Sequence, residues 1–239
     1  MALNEYATDV LSESDLPNET FARQIPTLRV TGEGLKLERA EMAIQNVVAT
    51  ADLSQHLDLE VILQVTPGAM YDSQKFPGLI YKLKKPKTTT LLFKTGKMVC
   101  TGAKSSKAAK TAIGQVVSDL IGNGIIIIAR PAVNIENIVA SANLHGVIDL
   151  ENVAEQLYRT MYEPEQFPAV IYRMSEPKVV LLIFANGKIV CTGAKKEADV
   201  YFAIEKLQGT LQLNRLITRD DSDRGNSTVL LTEAPIIQR

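Results

Sequence analysis

Val99-Cys100-Thr101-Gly102-Ala103-Lys104 recurs unchanged as Val190-Cys191-Thr192-Gly193-Ala194-Lys195, and the repetition runs well beyond this segment. Residues 44–104 align with residues 135–195 without a gap. Phe76-Pro77 returns as Phe167-Pro168, and Pro86-Lys87 as Pro177-Lys178. A solenoid needs at least three shorter units to bury a core. Two long copies instead specify one body with pseudo-two-fold symmetry. Such a body suits a pseudo-two-fold ligand, and duplex nucleic acid is the commonest of these.

Within a copy, the hydrophobic periodicity sets the elements. Around residues 44–53, Asn46, Val48 and Thr50 alternate with Val47, Ala49 and Ala51, a strand pattern. Asp58 is placed to cap a short helix that Pro67-Gly68 stops. Residues 79–84 and 88–93 read as strands, and Thr95-Gly96 closes a hairpin into residues 97–102. In the second copy that turn is Asn186-Gly187, a strong hairpin signal. Beyond Lys104, the residues Ala109, Ala112, Ile113, Val116, Val117 and Leu120 form the stripe of a long amphipathic helix. Ser105 or Ser106 is placed to cap it and Gly122-Asn123-Gly124 to end it; residues 196–213 repeat the pattern.

The expected fold is therefore α+β: two tandem repeats sharing a continuous antiparallel sheet of about ten strands, with the helices on one side. Residues 44–124 form the first repeat and 125–214 the second. Residues 1–43, where acidic groups outnumber basic ones, read as a loosely ordered extension, and 215–239 as a polar tail.

Composition narrows the function classes. The chain has 239 residues, is 46% apolar and 22% charged, and carries a formal net charge of −1. These are the values of a soluble globular protein, and they do not by themselves advertise a polyanion binder. The start of the chain shows no basic-plus-apolar leader, and residues 125–129 are too few to span a bilayer, so an intracellular protein with no membrane partner is expected. Cys100 and Cys191 lack ligand partners at zinc spacing, so buried free thiols are expected, with no metal and no cofactor. No phosphate-cradling glycine loop and no nucleophile–base set is visible, which places an enzyme last.

Four helices cannot cover both faces of such a sheet. If Val47, Ala49, Leu92, Met98 and Cys100 face the helices, alternation sends Val48, Leu91, Phe93 and Val99 to the other side. Val139, Leu182, Phe184 and Val190 follow in the second copy. That side is apolar with nothing left to cover it, the mark of a binding surface. Asn46, Thr101, Asn137 and Thr192 set small polar groups among these residues, with Lys97 and Lys188 at the rim. The mixture suits a DNA minor groove: apolar contact with sugars, donors for A·T acceptors, and cations for phosphates. A lone strand Phe is usually core. Here a loop Phe (Phe76, Phe167) accompanies a strand Phe (Phe93, Phe184) once per half, which makes two symmetry-related wedges able to open base steps.

The Gln45-Asn46-Val47-Val48-Ala49-Thr50 opening, the Lys75-Phe76-Pro77-Gly78 loop, Pro86-Lys87 followed by Leu91 and Phe93, and Gly96-Lys97-Met98-Val99-Cys100-Thr101-Gly102-Ala103-Lys104 resemble the TATA-box-binding protein family, most closely its archaeal members. The likeness spans residues 44–213 in both halves. It implies a saddle whose concave sheet binds and bends TATA-element DNA through the minor groove. By position, Phe76 with Phe93 and Phe167 with Phe184 would intercalate. Gln45, Asn46, Asn137, Thr101 and Thr192 would meet bases near the pseudo-dyad. Val48, Val99, Val139, Val190, Leu91 and Leu182 would form the floor, and Lys82, Lys97, Arg173 and Lys188 would meet phosphates. The loop with Glu163, Glu165 and Gln166 resembles the one that contacts transcription factor B, from which RNA polymerase recruitment would follow. Glu136 departs from the pattern where the first half has Gln45, which argues against a base contact there.

The leading expectation is thus a general transcription initiation factor acting on A·T-rich promoter DNA, cytoplasmic in an archaeon and nuclear in a eukaryote. The competing reading is a protein-interaction scaffold, or a paralogue, that uses the apolar face for another partner. An apolar face of this kind would also let the DNA-free protein pair as a homodimer.

Overall fold

The computed structural model describes residues 25–31 and 34–218, with side chains described from Ala40 onward. In chain order the elements are β1 (Ile25–Thr31), β2 (Gly34–Asp52), α1 (Leu59–Val65), β3 (Gly78–Lys84), β4 (Lys87–Phe93), β5 (Lys97–Ala103) and α2 (Ser106–Gly122). The second half follows with β6 (Val133–Asn143), β7 (Val147–Ile148), α3 (Leu150–Gln156), β8 (Thr160–Met161), β9 (Ala169–Met174), β10 (Val179–Phe184), β11 (Lys188–Ala194), α4 (Glu197–Leu213) and β12 (Ile217–Thr218).

Among the described residues, ten strands form one sheet. Nine run in the order β3-β4-β5-β2-β6-β11-β10-β9-β8, and β1 pairs with the first part of β2. The two halves join where β2 runs antiparallel to β6. In that register Val47 faces Ile138, its own counterpart in the other repeat, so the pseudo-dyad passes through this pair. Asn46 then faces Val139 and Val48 faces Asn137, the same pairing seen from each side.

The helix caps follow from side-chain chemistry. The Asp58 carboxylate accepts from the amides of Glu60 and Val61, and Ser105 Oγ accepts from the Ala108 amide, each satisfying orphan donors of a first turn. Asp149 repeats the Asp58 cap, whereas Lys196 opens α4 with no side-chain cap. Long helices α2 and α4 lie on one face of the sheet. Ala109, Ala112, Ile113, Val116, Val117 and Leu120 of α2 are buried, as are Val200, Ala203, Ile204, Leu207 and Leu211 of α4. α2 packs on β5, β2 and β4, where Val47, Ala49, Leu92, Met98 and Cys100 are fully buried, and α4 packs on β11 and β6, where Ile138, Ala140, Ile189 and Cys191 are. Full burial of each Val, Leu, Ile or Met side chain in this layer contributes about 1.5–3 kcal/mol.

Two boundaries differ from the sequence reading. Residues 1–43 are not wholly irregular, since β1 and the start of β2 form a hairpin within them. The second repeat does not end at residue 214, because Leu216 is buried and β12 pairs with β7. β12 is too short to show a period, whereas Leu28, Val30, Leu35 and Leu37 do alternate with polar residues, a strand signal that the sequence reading passed over. Residues 1–24, 32–33 and 219–239 lie outside the described residues. Among the described residues, no helix is long and apolar enough to cross a membrane.

Cys100 and Cys191 are free and lie in the buried layer. Burial raises both thiol pKa values, that of Cys191 to about 12. Because the thiolate is the nucleophile, the folded protein is expected to resist iodoacetamide at pH 8 over hours. Mass spectrometry should find both thiols alkylated only after denaturation. Rapid native labelling of either residue would contradict the packing described.

Candidate nucleic-acid interface

The face opposite the helices carries the residues that alternation assigned to it. Val48, Leu91, Phe93, Val99, Val139, Leu182, Phe184 and Val190 are all partly exposed, while their strand neighbours are buried. Cross-strand registers align them in two matching ladders. Ile80 faces Leu91, Leu91 faces Val99, and Val99 faces Thr50. In the other half Ile171 faces Leu182, Leu182 faces Val190, and Val190 faces Ser141. The floor is therefore continuous, and it includes Ile80 and Ile171, which the sequence reading overlooked. Strand parity alone, applied to β3 and β9, would have found them.

At each end stands an aromatic pair. Phe76 and Phe93 have ring centroids 6.0 Å apart at 63°, and Phe167 and Phe184 repeat this at 6.1 Å and 65°. These are edge-to-face contacts. Phe76 is 37% exposed and Phe167 39%, so neither ring is packed beneath a helix. Both loop rings are held by short turns: the Phe76 amide donates to the Asp72 carbonyl, and the Phe167 amide to the Glu163 carbonyl.

Near the dyad the polar groups are oriented by the backbone. Gly102 and Gly193 adopt φ of +95° and +97°, a conformation that favours glycine. Their amides donate to Asn46 Oδ1 at 2.7 Å and to Asn137 Oδ1 at 2.8 Å. An amide N–H cannot donate to an NH₂, so these bonds fix which side of each asparagine is the donor. Asn46 Nδ2 lies 3.2 Å from Thr101 Oγ1, and Asn137 Nδ2 lies 3.3 Å from Thr192 Oγ1. One N–H of each Nδ2 serves the threonine. The other is not spent on that contact.

Gln45 and Glu136 sit at register shifts in the β2–β6 ladder, where an extra residue is unpaired and its side chain re-aimed. Gln45 Nε2 donates to Ser141 Oγ at 2.7 Å, and Lys104 Nζ donates to Gln45 Oε1 at 3.3 Å. Glu136 instead accepts from Thr50 Oγ1 at 2.9 Å and pairs with Lys195 Nζ at 2.9 Å. The Lys195 ammonium, helped by the Thr50 hydroxyl, holds the Glu136 carboxyl below the usual carboxylate range. This carboxylate is thus ion-paired within its own protein, which the sequence alone did not reveal.

Lys82, Lys97, Arg173 and Lys188 are exposed, each on a strand position of the same parity as the floor. Glu163, Glu165 and Gln166 are exposed at the tip of the second-half loop. The first-half loop differs, because Asp72 pairs internally with Lys75 at 2.9 Å.

A duplicated antiparallel sheet with helices on its back, an open apolar front and a wedge pair at each end defines a saddle-type, two-repeat protein. The family model described as "Transcription factor TFIID (or TATA-binding protein, TBP)" matches residues 41–121 and 132–213. A TATA-box-binding protein of Pyrobaculum calidifontis is 52% identical over 169 residues, covering 71% of this chain and 85% of the relative. One of Pyrodictium occultum is 52% identical over 174 residues, covering 73% and 87%. The solved structure of Methanococcus jannaschii TBP superposes with a TM-score of 0.66 at 41% identity, over 72% of this chain and 99% of that one. The chain belongs to the TATA-binding protein family.

Proposed function

We propose that this protein is a general transcription initiation factor that binds A·T-rich, TATA-type promoter DNA in its minor groove and bends it. The observation that carries this reading is the open face itself: an apolar floor, four outward amide and hydroxyl groups at the dyad, and one aromatic pair at each end. In a minor groove A·T pairs offer only acceptors, the N3 of adenine and O2 of thymine. Asn46 and Asn137, with Nδ2 turned outward by the glycine amides, supply the matching donors, and Thr101 and Thr192 flank them. Val48, Val99, Val139, Val190, Leu91 and Leu182 press on the sugars. Gln45 acts together with Ser141, with one Nε2 hydrogen spent on that hydroxyl and the second left to donate.

Phe76 with Phe93, and Phe167 with Phe184, insert between base steps at the two ends of the element. Unstacking a step costs a few kcal/mol, offset by the extra surface that bent DNA brings into contact; TATA-box-binding proteins are themselves a standard example of this mode. Lys82, Lys97, Arg173 and Lys188 hold the phosphates. The loop of Glu163, Glu165 and Gln166 docks transcription factor B, which brings in RNA polymerase. Only this loop is acidic without an internal partner, since among the described residues no basic group pairs with Glu163 or Glu165, so recruitment takes place at one end of the saddle.

Inosine·cytosine pairs present the A·T pattern in the minor groove but not in the major groove. In a gel-shift assay an element rebuilt from inosine·cytosine should bind within a few-fold of the A·T original. A loss of about 1,000-fold or more, the lower end of the margin of specific over non-specific recognition, would mean that the major groove or another surface is read.

A further inference from the structure

The two dyad-flanking clusters are equivalent in position but opposite in hydrogen-bond polarity. On one side, Lys104 donates to Gln45, and Gln45 donates to Ser141. The Ser141 proton and the second Nε2 hydrogen of Gln45 are left over, so this cluster offers donors. On the other side, Thr50 spends its only proton on Glu136, whose second oxygen takes Lys195. What remains on Thr50 and on the carboxylate is lone pairs, so these two groups offer acceptors; the donors beside them are the remaining N–H groups of the exposed Lys195 ammonium. Thr50 and Ser141 occupy matching places in the two floor ladders, beside Val99 and Val190 respectively.

A·T pairs expose no minor-groove donor. The 2-amino group of guanine is the only base-edge donor in that groove. An acceptor cluster is therefore poorly matched to A·T and well matched to G·C, while the donor cluster has the reverse preference. We propose that Glu136 is a specificity-determining residue: it makes one side of the dyad tolerate a G·C pair that the other side rejects, and so gives a nearly symmetric saddle a preferred direction on DNA. This inference rests on the minor-groove reading above. The ion pair keeps Glu136 charged at neutral pH, so the acceptor character persists under binding conditions.

The test uses the full chain and a self-complementary A·T element scanned with G·C pairs. Direction is read with a DNA-cleaving reagent attached to S73C, in the exposed first-half loop; the native cysteines are buried and do not compete for the reagent. At the responsive position, a single G·C pair should be bound within about threefold of the parent and should bias cleavage to one end. The mirrored pair of G·C substitutions should bind about tenfold more weakly or worse, the ordinary scale of one mismatched pair. Inosine in place of guanine should restore full binding and abolish the bias. E136Q should lose the bias and reject even the single G·C pair, while Q45E should accept the mirrored pair. Unbiased cleavage by the parent protein, or a bias that survives E136Q, overturns the proposal. Failure to bind the unsubstituted A·T element overturns the minor-groove reading itself, a distinguishable result.

Discussion

Phe184→Ala is expected to weaken binding to a TATA-type duplex by about 30-fold, corresponding to the ~2 kcal/mol typical of a buried interface anchor. Phe184 is the strand-borne ring of its pair, with Phe167 edge-on against it at 6.1 Å. Its removal deletes one wedge and leaves the loop ring without support, a contact worth about 0.5–1.5 kcal/mol in its own right. Phe93→Ala should act similarly at the other end, where the geometry is nearly the same. Both rings lie on the open face and not in the layer under α2 and α4, so thermal unfolding should shift little. Fluorescence anisotropy would measure the affinity and calorimetry the stability. A large fall in melting temperature with unchanged affinity would show the rings to be core and not wedge.

Asn137→Asp is expected to have an effect at least as large, again with the fold preserved. The Gly193 amide can still donate to one carboxylate oxygen, and the Thr192 hydroxyl can turn to donate to the other. Nothing inside the protein loses its partner. Toward the groove, however, the donor Nδ2 becomes an anionic oxygen facing base acceptors. A group left unsatisfied costs about 1–3 kcal/mol, and more when charged, so a loss of ~100-fold or greater is expected for A·T DNA. Asn46→Asp should match it across the dyad. Equal affinities of the variants and the parent in a gel-shift titration would remove the asparagines from base recognition.

Much of this architecture was legible in the chain because the duplication supplies an internal comparison. Strand parity at Val47/Val48 and Met98/Val99 separated the two faces, and counting helices showed that only one could be covered. The caps at Asp58 and Ser105 were readable because N-cap chemistry is local. What escaped was non-local. The ladder shifts that re-aim Gln45 and Glu136 arise from pairing between repeats, and no period in either strand announces them. Glu136 therefore looked like an anion misplaced in a groove, whereas Thr50 engages it from β2 and Lys195 from just beyond the end of β11. The short β7–β12 pair was missed for a related reason: its order comes from the partner strand and not from any alternation of its own.

Steady-state energy transfer between dyes at the two ends of a short A·T-rich duplex, with and without the full-length protein, tests the wedge-and-saddle account most directly. Saturating protein should shorten the end-to-end distance toward a sharp bend; about 80° is the figure known for TATA-box-binding proteins as a class and is not a value obtained from this chain. A duplex that stays straight while fully bound would contradict the account and favour a surface built for some other partner.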